Sequence, residues 1–130
     1  MERIRLLLVD DEEDFRATLA NRLRKREFEV TQAESGSRAL EALKTRAIDV
    51  AVVDVKMPGM DGLETLREIK RVAPHIEVIM LTGHASVESG VEGMRLGAFD
   101  YIMKPCDIND LILKVEDAFQ RKLARARSNP

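Results

Sequence analysis

Five short apolar runs, separated by stretches whose apolar residues recur at helical spacing, constrain the fold of this chain more than any other feature. The runs have the length of β-strands and lie at residues 4–9, 28–33, 50–53, 78–81 and 101–103. A strict alternation of strands and helices implies right-handed crossovers and a parallel sheet that helices cover on both faces. The sequence therefore predicts an α/β fold with five parallel strands.

The apolar pattern within each run indicates where its strand lies in the sheet. The runs LLLV and VIML are unbroken apolar segments, which is typical of central strands that are buried on both faces. The segment FEVTQA alternates apolar with polar residues and so favours a strand near the edge of the sheet. We therefore expect a single-domain, doubly wound, flavodoxin-like sheet with the strand order 2-1-3-4-5.

Composition limits the classes of function that this chain can have. It has 130 residues, of which 45% are hydrophobic, and this is enough for one buried core. Because 21 basic and 23 acidic residues give a net charge of -2, we expect no direct nucleic acid binding by this chain. Cys106 is the only cysteine, which excludes an internal disulfide. A single cysteine fits the reducing cytoplasm, and because no run resembles a signal peptide or a membrane span, we expect a soluble protein without membrane association.

Polar side chains follow four of the five runs. Asp10 and Asp11 come after the first run, Asp54 after the third, Thr82 after the fourth and Lys104 after the fifth. The carboxyl ends of parallel strands share one edge of a sheet, and ligands bind there near the point where the strand order reverses. The sequence therefore predicts that three carboxylates, a hydroxyl and an ammonium converge on one edge.

The predicted carboxylate cluster indicates a metal site. Clustered carboxylates repel one another, so holding them together requires either a cation or a raised pKa, and a divalent metal is the simpler answer. Oxygen ligands without histidine or cysteine nearby favour Mg²⁺, with Mn²⁺ as a substitute, over zinc. Magnesium commonly accepts a phosphate oxygen, which points to phosphoryl transfer. An aspartate can attack phosphorus directly, so Asp54 is the candidate nucleophile, and Thr82 and Lys104 are the candidate groups that stabilise the transferred charge.

Four segments, LLLVDDEEDF, VVDVKMPGMDG, VIMLTGH and GAFDYIMKP, resemble the response-regulator receiver family of bacterial two-component signalling. The resemblance covers about residues 4 to 120. It implies phosphorelay signal transduction, in which Asp54 accepts a phosphoryl group from a sensor histidine kinase, a phosphotransfer protein or a small donor such as acetyl phosphate. Such a domain catalyses its own phosphorylation and dephosphorylation, but it acts as a signalling switch rather than as a conventional enzyme.

The same resemblance implies a role for each residue near the predicted metal site. Asp10 and Asp11 resemble the acidic pair that holds Mg²⁺ together with Asp54. Lys56 matches the position whose backbone carbonyl completes the metal site, so its side chain is not the ligand. Lys104 resembles the lysine that pairs with the phosphoryl group.

Other positions match the part of the family that responds to phosphorylation. Thr82 resembles the switch hydroxyl, Tyr101 resembles the aromatic switch, and Pro105 matches a cis-proline. His84 lies two residues after Thr82, where a side chain can modulate the access of water to the acyl phosphate. The resemblance implies that helix 4, strand 5 and helix 5 form the surface that changes, and that a downstream effector, an output domain or a second copy in a homodimer binds it.

Simpler structural roles compete with some of these assignments. Asp10 and Asp11 could cap the first helix, where acidic side chains are favourable. Asp61 is expected to be the N-cap of the third helix or a turn residue, without a chemical role. We assign residues 1–120 to the receiver domain. The basic tail at 121–130 is expected to extend the last helix or to link to an output domain absent from this sequence, with its cations on solvated surface.

Three other functional classes are compatible with such a fold. A pseudo-receiver keeps the fold without phosphotransfer, but its usual sign is the loss of an acceptor or metal carboxylate. A flavodoxin needs a loop that cradles phosphate after the first strand, where the segment DDEED would repel the ligand. A metal-dependent phosphatase would place spaced acids there, whereas Asp10 and Asp11 are adjacent.

Overall fold

The computed structural model describes residues 3–57, 59–83 and 87–128, and within these residues five strands alternate with five helices. The strands are β1 (Arg5–Val9), β2 (Glu29–Ala33), β3 (Val50–Asp54), β4 (Glu77–Thr82) and β5 (Asp100–Met103). The helices are α1 (Glu13–Lys25), α2 (Gly36–Thr45), α3 (Gly62–Val72), α4 (Val87–Arg95) and α5 (Ile108–Ser128). Among the described residues, no helix is both long and apolar enough to cross a membrane.

All five strands are parallel and lie in the order β2-β1-β3-β4-β5, so the predicted flavodoxin-like fold and strand order are confirmed. The strand order reverses at β1, because the chain passes first to β2 on one side and then to β3 on the other. The half-apolar strand β2 forms an edge of the sheet, as its alternating pattern predicted. The carboxyl ends of β1 and β3 therefore flank the reversal point, where ligands bind in sheets of this kind.

The sheet separates two apolar layers that together form the core. Every side chain in β3 and β4 is buried. Helices α2 and α3 pack on one face, and α1 and α5 pack on the other. Burial on both faces explains why these central strands are continuous apolar runs in the sequence.

The first residues of α3 and α1, the helices that follow β3 and β1, show which side chains cap them. Asp61 is the N-cap of α3, and its carboxylate accepts the backbone N–H of Glu64 at 2.9 Å, so the predicted capping role is confirmed. The N-cap of α1 is Glu12, without a side-chain cap, so the alternative in which Asp10 and Asp11 cap this helix is wrong. Asp10 instead accepts the backbone N–H of Glu12 at 2.9 Å, which fixes its carboxylate at the entrance to the helix.

Helix α5 continues without a break past residue 120 to Ser128, so the division that we placed there falls inside a helix. Lys122 on this segment forms an ion pair with Asp49, the residue before β3. Asp49 is only 2% exposed. Burial raises the pKa of Asp49, but hydrogen bonds from Arg5 and Lys122 outweigh that effect and lower it to about 2. The expectation that these cations lie on solvated surface is therefore wrong for Lys122.

A second buried carboxylate lies beside the first. Glu77, the first residue of β4, is 1% exposed and pairs with Arg125 at 3.2 Å and with Arg121 at 3.8 Å. Lys70 of α3 lies 3.7 Å from the same carboxylate. A buried carboxylate needs such partners, because an uncompensated charge in the interior is strongly unfavourable.

Candidate functional site

The sheet register places two buried carboxylates side by side at the reversal point. Val9 pairs with Val53 across β1 and β3, so Asp10 and Asp54, the next residue of each, are neighbours. Asp10 is fully buried, and Asp54 is 4% exposed. Asp11 is exposed, and one carboxylate oxygen from each of the three aspartates lies within 4.8 Å of the others. The predicted cluster of three carboxylates is therefore present in the structure.

Lys104 follows β5 and reaches the same cluster. Its Nζ lies 2.8 Å from Asp10 Oδ2, 3.5 Å from Asp54 Oδ1 and 3.7 Å from Glu12 Oε1. The backbone N–H of Lys104 donates to the carbonyl of Thr82 at 2.7 Å, which ties its backbone to the end of β4. The peptide bond between Lys104 and Pro105 is cis. One ammonium thus interacts with three carboxylates, two of which are buried.

The electrostatics of the cluster favour an added cation. Burial raises the pKa of Asp54 to about 6, and the nearby charges of Asp10 and Asp11 act in the same direction. Lys104 and a hydrogen bond from the backbone of Lys56 oppose this shift without cancelling it. Burial by itself would lower the pKa of Lys104, but its hydrogen bond and attraction to Asp10, with Asp54 and Glu12, raise it. A second positive charge beside Asp54 would therefore relieve repulsion that Lys104 leaves in place.

The donor atoms fit a hard divalent cation. Asp10, Asp11 and Asp54 offer only carboxylate oxygens, which Mg²⁺ and Mn²⁺ prefer, and exposed Asp11 leaves room for metal-bound water. The pKa of Asp54 is raised first by burial and then by the charges of Asp10 and Asp11, and a bound cation would oppose both effects. The backbone carbonyl of Lys56, on the loop after β3, stays a predicted additional ligand.

The predicted switch residues Thr82 and Tyr101 lie on the neighbouring strands β4 and β5. Thr82 is buried at the end of β4, next to Met103 in the register with β5. Tyr101 is 41% exposed, and its ring packs against α4 so closely that a Cβ added at Gly90 would lie 3.3 Å from it. His84, the predicted modulator, lies outside the described residues. The structure thus places a buried hydroxyl on the site side and an accessible aromatic ring on the α4 side.

Sequence reasoning did not identify two residues that contact Lys104. Glu12 lies 3.7 Å from its Nζ, and the ring centroid of Phe15 lies 4.3 Å from the same atom. Phe15 was recognisable only as the first apolar residue in the helical spacing that continues with Leu19 and Leu23. The pattern indicated an inward-facing ring, but the contact with Lys104 joins residues almost ninety positions apart and depends on the fold.

The fold and the site together define the class of this protein. The family profile for the response regulator receiver domain matches residues 6–116. The chain therefore belongs to the response regulator receiver domain family, as the four sequence segments indicated.

Relatives with known names and structures agree with this assignment. The chain is 40% identical over 116 residues to the regulatory protein AtoC of Escherichia coli K12, covering 89% of this chain and 25% of that protein. It is 39% identical to the DNA-binding transcriptional regulator NtrC of Klebsiella pneumoniae, covering 91% of this chain and 25% of that protein. The chain thus spans about a quarter of the length of these curated relatives.

Solved structures show the same architecture. A receiver domain protein from Clostridium thermocellum superposes with a TM-score of 0.88 at 35% identity, covering 93% of this chain and 98% of that one. NtrX from Brucella abortus, in complex with ATP, superposes with a TM-score of 0.92 at 34% identity, covering 98% of this chain and 29% of that one.

Proposed function

We propose that this receiver domain is a magnesium-dependent phosphoacceptor switch, in which Asp54 takes a phosphoryl group from a histidine kinase, a phosphotransfer protein or acetyl phosphate in the cytoplasm. The observation that carries the proposal is the convergence of Asp10, Asp11 and Asp54 with the ammonium of Lys104 at the reversal point of the sheet. Membership of the family supports the same chemistry. The relatives that the chain matches are longer proteins, of which it spans about a quarter. What the whole protein controls is therefore also a proposal.

The side chains gathered at this edge of the sheet can support phosphoryl transfer. An ionised oxygen of Asp54 attacks phosphorus, the bond from phosphorus to the donor nitrogen or oxygen breaks, and the leaving group keeps the electron pair. Lys104 donates to the transferred oxygens and stabilises their charge. Mg²⁺, held by the three aspartates and the carbonyl of Lys56, would neutralise phosphoryl charge when bound. Because the pKa of Asp54 is about 6 without metal, added positive charge also favours the ionised nucleophile.

Phosphorylation would be read out on the surface of α4, β5 and α5. A phosphoryl group adds charge and strong acceptor oxygens, to which the hydroxyl of Thr82 can donate. Tyr101 of β5 is exposed and packs beside Gly90 of α4, and Val91, Met94 and Met103 of the same two elements are also exposed apolar side chains. Exposed apolar side chains on neighbouring elements favour contact with a partner, so an effector, an output domain or a second copy would bind here. A complete switch from 1:99 to 99:1 requires a differential binding free energy of about 5.5 kcal/mol.

The other candidate functions gain no support from the site. A pseudo-receiver would lack an acceptor or a metal carboxylate, whereas the three aspartates and Lys104 are assembled here. A flavodoxin or a phosphatase with its nucleophile after β1 would need that position to accept phosphate. Asp10 is instead fully buried, and its carboxylate accepts hydrogen bonds from Nζ of Lys104 and from the backbone N–H of Glu12.

Intact-protein mass spectrometry after incubation with acetyl phosphate tests the proposal. The wild-type chain should gain a single phosphoryl adduct with Mg²⁺ and much less in excess EDTA, whereas Asp54→Asn should gain none at this position. Asp61→Asn, which keeps a capping side chain outside the cluster, is the matched control and should react like wild type. An adduct that forms equally in Asp54→Asn would refute the assignment of the acceptor.

A further inference from the structure

The ring of Phe15 faces the ammonium of Lys104, and phosphoryl transfer by the charged groups alone does not require this contact. Nζ lies 4.3 Å from the ring centroid, which is within the range of a cation–π interaction. Phe15 is the third residue of α1 and packs against the apolar layer beneath α1 and α5. Lys104 is only 12% exposed, so water screens the attraction weakly.

The ring differs from the other partners of Lys104 in one respect. Asp10, Asp54 and Glu12 attract the ammonium through negative charge. A cation that binds at Asp10 and Asp54 competes with Lys104 for that negative charge. A phosphoryl group on Asp54 replaces the carboxylate charge there with the charge of its own oxygens, and Glu12 is largely exposed to solvent. The face of a phenylalanine ring carries no net charge, does not coordinate magnesium and does not titrate. The attraction of the ring for Lys104 therefore persists while its ionic partners change.

We propose that Phe15 is a positioning residue for Lys104, whose ring holds the ammonium at the site edge as the charge on Asp10 and Asp54 changes. This inference rests on the proposed phosphoryl transfer to Asp54. It predicts that the rate of phosphorylation depends on the face of the ring at position 15 and not only on apolar bulk.

The contact is testable in metal-free protein, without any phosphorylation, by NMR of the Lys104 side chain. A ring above the ammonium shields the ε-methylene protons, so Phe15→Leu should move their resonance downfield, whereas Phe15→Tyr, which keeps the ring face, should restore it. Phe119→Leu removes a ring from the same apolar layer and should leave the Lys104 resonance unchanged. Lys104 resonances that are identical in wild type and Phe15→Leu would overturn the inference.

The consequence is measured as the initial rate of the Mg²⁺-dependent acetyl phosphate adduct. Phe15→Leu should react about fivefold more slowly, as expected for the loss of a partly desolvated cation–π contact. Phe15→Tyr should recover most of the rate, and Phe119→Leu should match wild type. Equal rates in wild type and Phe15→Leu would refute the positioning role alone, because wild type still reacts. A wild type that forms no adduct would instead refute the proposed function, and with it the inference.

Discussion

Replacing Asp54 by asparagine should stabilise the metal-free protein at neutral pH. The pKa of Asp54 is about 6 in the fold, compared with 3.8 for an unperturbed aspartate. The folded protein therefore holds this proton more tightly than the unfolded chain, so the fold is favoured by protonation below pH 3.8 and loses that advantage as pH rises through 6. The difference corresponds to about 3 kcal/mol, and burial of the carboxyl leaves little solvent screening to reduce it.

Asp54→Asn does not titrate, so it should avoid this loss. In excess EDTA at pH 7.5, urea denaturation should give a free energy of unfolding about 3 kcal/mol higher than that of wild type, and the difference should vanish near pH 4. Mg²⁺ should narrow the gap, because it stabilises wild type more than the variant. Asp61→Asn is the control for an aspartate outside the cluster. A variant no more stable than wild type at pH 7.5, or an advantage independent of pH, would refute the electrostatic reasoning.

Two further predictions concern residues that support the site. Asp49, whose pKa is lowered to about 2, contributes about 2 kcal/mol above pH 3.8 that is lost as pH falls through 2. Asp49→Asn should therefore lower urea stability by about that amount at pH 7 and by less at pH 2.5; an equal loss at both values would contradict the assignment. Gly62→Ala would bring a Cβ within 2.1 Å of the Asp54 carbonyl oxygen, whereas Gly83→Ala meets nothing within 4 Å. We expect calorimetry to show a loss of about 3 kcal/mol or more for Gly62→Ala only; similar melting of the two variants would count against this.

The architecture could be predicted from the sequence because a buried parallel sheet imposes a pattern on every strand. Each central strand is a continuous apolar run in the sequence, and in the helices between the strands the apolar residues recur at helical spacing. The prediction placed the start of β4 at residue 78, although the strand begins at Glu77. A charged residue ends an apolar run in sequence, whereas in the fold Glu77 is buried beside cations from α3 and α5. Only tertiary structure reveals those partners.

The candidate site was predictable for a related reason. The carboxyl ends of parallel strands share one edge of the sheet. The sequence alone therefore predicted a common edge for Asp10, Asp54, Thr82 and Lys104. The sequence could not indicate which carboxylates share Lys104, because that depends on side-chain reach across the fold. The contact with Phe15 escaped prediction for the same reason: its helical spacing identified a core residue but not the ammonium above it.

Strands β3 and β4 have functional side chains at one end and buried ion pairs at the other. Asp54 and Thr82 stand at their carboxyl ends, while Asp49 and Glu77 anchor the last turns of α5 at their amino ends. The cations of those final turns therefore compensate the two buried carboxylates, and the ion pairs join the end of α5 to the amino ends of β3 and β4. A fragment that stops at residue 120 would lack these cations and leave Asp49 and Glu77 with fewer counter-charges, so it should be less stable than the chain that includes them.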